Sequence, residues 1–519
     1  MRKFIVQHRS VLLWILGGGF FLLYCFLAMR FTFWGDELTS IEYAKQSTGY
    51  FISNYFVNPD NHPPLYYFLL NIWQKIFQIG YHNDYWFQIF SIAGYFVAVM
   101  VTAQLWLKTF RERLYFIFLT GISSYFFIYS HMVRYYTLAA FVYMAVFFYL
   151  RKWFGSSQGR WLWHIVPLSC LLAYLDYTAY IFYGVTFIVF IIRYKFWGKL
   201  HLQQLIVFAV TQIVGVIPLL YLNYVYFTLR LQSSQIVEVY PALSIKKIVN
   251  FIGGLGSSLY QIIIGEYFTI YLTPVLIGIL GIVLYFMIKE WRKKKKNEDS
   301  SKVLLGDLGL FVITNVIFAS FFLTFIIGRY PIFSYVRFLM PVGFVLAIIS
   351  VKLFLEKKRW IMYVILGVNI FTLSMNIIQR DFINPIFFFP QKLVVDYAQK
   401  NNLPVFSQVT PTRPSSYVVN KFLSPQVIYH STDTSQSCFL VFTDNIRLGG
   451  KGVEVLDLPE EERSRTRVVS VLGYDTISSS TKMILHKFGL MNTEYKYYYS
   501  IIEKISSTSS IRTTSTCGE

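Results

Sequence analysis

Two acidic residues stand side by side in FTFWGDELTS, Asp36 and Glu37, where a long apolar run from Val11 to Phe33 gives out. A charged group at a membrane interface is costly unless it is paired or has work to do. The same pair could open a helix from Leu38 to Thr48, since acids complement the positive end of the helix dipole. Further along lies NPDNHPPLYYF, in which Pro63 and Pro64 define a turn and set Asp60, Asn61 and His62 just ahead of a helix N-terminus, a place suited to an anionic group. Two arginine stretches follow, YSHMVRYYTLAAF with Arg134 and RYPIFSYVRFLMP with Arg329 and Arg337. Arg134 alone would pass for an arginine reaching out to the interface. Taken together, two arginines and a histidine facing an acidic loop suggest a site for a phosphorylated lipid beside a catalytic carboxylate, because guanidinium pairs phosphate bidentately and keeps its charge.

The elements that must hold these residues are membrane spans. Of 519 residues, 55% are hydrophobic, 19% aromatic and only 14% charged, which excludes a soluble protein of this length. The net charge of +20 could suggest nucleic acid, but the basic residues fall in short clusters between apolar runs, at 108–113, 193–199, 292–296 and 357–359. That is the pattern of cytoplasmic loops, and it argues against a nucleic-acid partner. The N-terminus MRKFIVQHR is basic, and the apolar run after it has no small-residue cleavage site, so it reads as a retained first span with the N-terminus inside. Four cysteines give no disulfide framework; a Cys438–Cys517 bridge is open if the C-terminal segment is extracytoplasmic.

Apolar runs of spanning length predict about eleven transmembrane helices, near 11–33, 85–107, 113–130, 133–150, 161–177, 178–194, 203–225, 267–288, 303–327, 336–354 and 360–378. This threading puts every basic cluster on the cytoplasmic side. The run at 63–79 is short, opens on a proline pair and carries Gln74 and Lys75, so it reads as a helix lying in the interface. The fold class is therefore an all-α polytopic membrane module over 1–383, with a first extracytoplasmic loop at 34–84, followed by a small soluble α/β domain over 384–519. In that domain QKLVVDYAQKNN and SSYVVNKFL read as helices and PVFSQV, QVIYH and CFLVFTD as strands, with a frayed tail over the last fifteen residues. Asp36, Glu37, Asp60, His62, Arg134, Asp176, Arg329 and Arg337 all land on the outer side.

The ordered set of Asp36-Glu37, HPPLYY from His62, RYYTL from Arg134 and RFLMP from Arg337 resembles the GT-C superfold of membrane glycosyltransferases. The branch it looks like contains the protein O-mannosyltransferases and the lipid A aminoarabinose transferase. The resemblance implies inverting transfer of a monosaccharide from a polyprenyl-phosphate donor to an extracytoplasmic protein, glycan or lipid acceptor; the expected location is a bacterial plasma membrane. It implies Asp36 as general base, Glu37 as the group that orients Asp36 or a neighbouring arginine, and Arg134, Arg337 and His62 as holders of the lipid phosphate. Tyr135, Asp60 and Arg329 would line the same substrate site. The chemistry needs no metal and no cofactor, because fixed cations serve the leaving group. Two departures stand out: SHMVR carries His131 and Met132 where relatives often have an acid and a small residue, and Asp176 in YLDYTAY replaces a histidine.

Three other readings compete. A transporter or flippase of lipid-linked saccharides would need polar groups in span interiors or broken helices. A ligase or polymerase using diphosphate-linked donors would favour an arginine-rich outer loop. A non-catalytic scaffold would tolerate loss of Asp36.

Overall fold

The computed structural model describes residues 9–29, 33, 35–57, 59, 62–80, 83–232, 244–265, 272–297, 299–326, 336–355 and 358–378 of the helical part, and 400, 405–407, 438–442, 447–448, 466–475 and 495–504 beyond it. The helices are α1 (Arg9–Ala28), α2 (Gly35–Lys45), α3 (Thr48–Val57), α4 (Pro64–Phe77), α5 (Tyr85–Trp106), α6 (Phe110–Ile122), α7 (Ser124–His131) and α8 (Tyr136–Ser156). There follow α9 (Leu162–Leu175), α10 (Tyr177–Tyr194), α11 (Lys199–Gln232), α12 (Ile245–Ile263), α13 (Thr273–Asn297), α14 (Asp299–Phe321), α15 (Met340–Phe354) and α16 (Arg359–Ile378). A π turn at Phe322–Ile326 ends α14, and a 3-10 turn at Val336–Leu339 leads into α15.

Among the described residues nine helices are long and apolar enough to cross a membrane, and the bent pair α6 and α7 makes a tenth. The chain is an integral membrane protein. The expected span at 161–177 is the short helix α9, 14 residues or about 21 Å at 1.5 Å per residue, which with the 3-10 turn at Gly159–Trp161 returns the chain from the Arg151 end of α8 to Asp176, within electrostatic range of Arg134. It also carries Pro167 in its interior. A correction concerns the connection between α11 and α13, read as loop from the sequence, where α12 runs for 19 residues.

The bend between α6 and α7 measures 66° and lies at Ser123, which is in extended conformation. Breaking a span frees carbonyls that lipid cannot satisfy, so other groups must. The hydroxyl of Tyr24 donates to the Gly121 carbonyl at 3.0 Å, and that of Tyr95 to the Thr120 carbonyl at 2.9 Å. The two rings stack with centroids 6.0 Å apart. The break is thus a built feature, and it delivers the chain to Val133 and Arg134.

The first-loop segment folds as three short helices held by one buried amide. Asn71 of α4 donates through Nδ2 to the carbonyls of Ala44 (2.8 Å) and Gln46 (2.7 Å) at the end of α2, and its Oδ1 accepts from Thr48 Oγ1 at 2.9 Å. Those carbonyls are ones a helix end leaves unsatisfied. The helix expected over 63–79 is α4; it starts with Pro64 as its first residue and buries Tyr66, Tyr67, Leu70 and Asn71 on one face.

Beyond the helical part, five strands form one sheet: β1 (Val405–Ser407), β2 (Cys438–Phe442), β3 (Arg447–Leu448), β4 (Thr466–Asp475) and β5 (Tyr495–Lys504). β1 runs parallel to β2, while β5 pairs antiparallel with β2, β3 and β4. The strands expected in PVFSQV and CFLVFTD are β1 and β2; β4 and β5 were not expected. The helices expected at 391–402 and in SSYVVNKFL, the strand in QVIYH, the tail and Cys517 lie outside the described residues, apart from helical Lys400.

Candidate functional site

Glu37 and Arg134 are the two best-defined members. Glu37 is 1% exposed, and its Oε1 accepts the Val133 backbone N–H at 2.7 Å. That links α2 to the junction of α7 and α8, where the Arg134 N–H closes a tight turn onto the Met132 carbonyl at 2.7 Å. Arg134, itself 3% exposed, donates through Nη1 to Ser40 Oγ (3.1 Å) and Tyr67 Oη (3.2 Å). Its Nη2 lies 3.0 Å from His62 Nε2. Side chains of α2, of α4 and of the turn before α4 therefore converge on one guanidinium.

The partner fixes the state of His62. Guanidinium only donates, so Nε2 must accept, and the neutral ring carries its proton on Nδ1, which faces Tyr135 Oη at 3.4 Å. Burial, with Arg134 and Arg337 both acting on the ring, lowers the His62 pKa to about 3. Tyr55 Oη donates to the His62 carbonyl and pins its backbone. In this geometry His62 is an acceptor that aims Arg134.

Arg337 sits in the 3-10 turn before α15, with its guanidinium carbon 5.5 Å from the centre of the Tyr136 ring and 5.2 Å from that of Phe338. The turn is fastened by Tyr125, whose hydroxyl donates to the Val336 carbonyl at 2.7 Å. Arg134 lies over Tyr135 at 5.7 Å. Aromatic faces attract such cations and hold them at defined positions. Asp176, 3% exposed between α9 and α10, accepts the Thr178 N–H at 2.8 Å as the N-cap of α10 and lies within electrostatic range of Arg134.

Of the residues expected in the site, the structure brings together His62, Arg134 and Tyr135 by direct contact, with Glu37 bonded to the neighbouring Val133 N–H and Arg337 and Asp176 in their electrostatic neighbourhood. The backbone of Asp36 occupies the second position of α2, immediately before Glu37. Asp60 and Arg329 lie outside the described residues. Ser40 and Tyr67 were missed by sequence reasoning. Ser40 has no sequence signal, but Tyr67 lies within HPPLYY, on the same face of α4 as Asn71. Among the described residues no group of three or more His, Cys, Asp or Glu could hold a metal ion.

No protein-family model matches the chain, and no curated protein matches it. Among solved structures it is similar to the crystal structure of ArnT from Cupriavidus metallidurans bound to undecaprenyl phosphate. That likeness has 11% identity and a TM-score of 0.48, over 94% of this chain and 97% of that one. The apo state of ArnT from the same organism is similar at 12% identity and a TM-score of 0.47, over 78% and 84% of the two chains. Likeness at this level is too coarse to carry a function, which must rest on the residues themselves.

Proposed function

We propose that this protein is an inverting glycosyltransferase that moves a monosaccharide from a polyprenyl-phosphate donor to an acceptor hydroxyl or amine on the extracytoplasmic side. The observation that carries the reading is Arg134, held by Ser40 and Tyr67 and 3.0 Å from the His62 ring, with Arg337 from a distant part of the chain within electrostatic range of the same ring. Two cations held by aromatic faces and uncharged acceptors, beside a paired-acid segment at the edge of a membrane bundle, suit a lipid-linked phosphate monoanion. As the glycosidic bond breaks, charge grows on the phosphate, and fixed guanidiniums stabilise it without reorganising.

In this reading Asp36 takes the acceptor proton as the acceptor attacks the anomeric carbon opposite the departing phosphate. General-base catalysis of this kind contributes about 10²- to 10⁴-fold. Glu37 holds the Val133–Arg134 turn by its bond to the Val133 N–H, so the two neighbouring acids divide the work. The sheet-bearing segment after 383 belongs to the same side, where it shapes access for the acceptor, and Asp60, Asp176 and Arg329 line the substrate site.

The test is turnover of radiolabelled polyprenyl-phosphate monosaccharides by the protein in nanodiscs. Wild type should release sugar from one donor, and Asp36→Asn should lose at least about a hundredfold in rate with donor binding intact. Unchanged turnover in Asp36→Asn would sink the assignment of the base. Failure of wild type to bind any donor would return the transporter and diphosphate-donor readings.

A further inference from the structure

The helix α12 buries the wrong face for a water-facing element. Ile245, Ile248, Val249 and Ile252 recur at helical spacing and are 81%, 44%, 41% and 61% exposed, whereas Asn250, Ser258 and Gln261 on another face are 3%, 5% and 0% exposed. An apolar stripe turned outward fits a helix embedded in lipid. Its polar stripe then faces protein, where every polar group needs a partner. Yet Asn250 Oδ1 has no hydrogen-bond partner among the described residues, and neither does Thr324 Oγ1, 2% exposed in the π turn at Phe322–Ile326. That π turn packs against α12, and the Phe251 and Phe325 rings meet at 5.9 Å.

Loose packing does not explain the gap. The end of α12 is fastened by Asn369 Nδ2 donating to the Ile263 carbonyl (2.9 Å) and Thr372 Oγ1 donating to that of Ile264 (2.9 Å). Gly265 follows at φ +107°, where a Cβ would come within 1.9 Å of Ser124 Oγ, so no other residue fits this close approach. π turns interrupt helices at functional sites more often than elsewhere. The same helix packs against the 3-10 turn that carries Arg337.

We propose that the inward stripe of α12, with Thr324, is a subsite for the hydroxyl groups of the sugar carried on the lipid phosphate. The inference rests on the donor reading given above and names the part of the donor that the arginines do not explain. Its groups are neutral amides and hydroxyls, which match sugar hydroxyls as donors and acceptors and offer nothing to a second phosphate. Unpartnered buried polar atoms weaken the empty protein and are satisfied when the sugar arrives.

The experiment uses the full chain in nanodiscs and compares the affinity for undecaprenyl phosphate with that for its glucosyl, mannosyl and aminoarabinosyl esters. Wild type should bind one ester more tightly than the bare lipid phosphate. Asn250→Ala and Thr324→Val should remove about tenfold of that gain while leaving the bare lipid phosphate bound as before; Ile252→Ala on the lipid-facing stripe should change neither. Without ligand, Thr324→Val should melt no lower than wild type, because it deletes an unsatisfied hydroxyl. The proposal is overturned if the two variants bind the esters as wild type does, if they lose ester and bare lipid equally, if Thr324→Val lowers the melting temperature, or if no ester outbinds the bare lipid. Absence of any lipid-phosphate binding by wild type would instead refute the donor reading and take this subsite with it.

Discussion

Two arginine clusters sit at opposite ends of the bundle and differ in what fastens them. At one end Asp307 of α14, fully buried, accepts from Arg151 Nε at 2.8 Å, from Arg193 Nε at 2.7 Å and from the Tyr194 hydroxyl at 2.7 Å. One carboxylate there joins α8, α10 and α14 and is shared by two guanidiniums. At the other end Arg134 donates to Ser40 and Tyr67 and lies 3.0 Å from His62 Nε2, three uncharged groups drawn from α2, α4 and the turn before α4 that fix where the guanidinium sits. The first cluster is a clamp. In the function proposed above the second is a preorganised electrostatic site, since positioned charge is what a leaving phosphate requires.

The sharpest way to separate clamp from site is to remove the carboxylate of the clamp. Asp307→Ala leaves Arg151 and Arg193 facing an emptied pocket and should destabilise by about 3 kcal/mol, the lower end of the range for broken buried pairs because both arginines are partly exposed. Thermal unfolding in nanodiscs would read the loss, and turnover per folded molecule should stay near wild type. Loss of turnover with intact stability would contradict the division.

Next in size is the site itself. Arg337→Ala should weaken donor binding by roughly ten- to a hundredfold, the scale of a lost charge-assisted contact, with little change in melting temperature. Lysine at the same position should restore only part of it, because the flat guanidinium lies against the Tyr136 and Phe338 rings. A donor titration by intrinsic fluorescence distinguishes these outcomes.

Smaller still is the effect at Glu37. Glu37→Gln keeps an acceptor for the Val133 N–H but loses the charge, and should slow turnover by about tenfold or less; Glu37→Ala strands that buried N–H and should do more harm. Equal rates in the two variants would show that Glu37 does not act through this bond.

The last effect is in pH, and it is small only near neutrality. Because the His62 pKa is depressed to about 3 from an ordinary 6.5, the unfolded chain takes up a proton between those values that the folded chain refuses. Stability should therefore fall as pH drops below about 6.5. His62→Gln should flatten that part of the melting-temperature profile. An unchanged slope would remove His62 as its source.

Much of this contrast could be read from the sequence, but unevenly. The order of Asp36-Glu37, HPPLYY, RYYTL and RFLMP was legible because each stretch interrupts an apolar run with a type of residue that lipid excludes. What Glu37 touches was not, because its partner is a backbone N–H 96 positions away. Asp307 was visible only as an acid near a span end; the arginines that surround it come from two other spans and looked like ordinary cytoplasmic-end charges. The helix α12 did announce itself, through Ser244 as an N-cap and isoleucines at helical spacing, and was passed over because its glycines, serines and lysines lower its apolar content. β4 and β5 likewise carry the β-branched and aromatic residues of strands in RVVSVLGY and YKYYYSII. The neutral state of His62 could not have been foreseen, since it follows from which nitrogen meets Arg134.

The most direct test of the central claim, that Arg134 and Arg337 bind a lipid-linked phosphate, is to titrate undecaprenyl phosphate into nanodiscs holding wild type, Asp36→Asn, Arg134→Ala or Arg337→Ala. The account predicts saturable binding to wild type and Asp36→Asn alike, and a loss of at least about tenfold in each arginine variant. Equal affinity across all four proteins would contradict it.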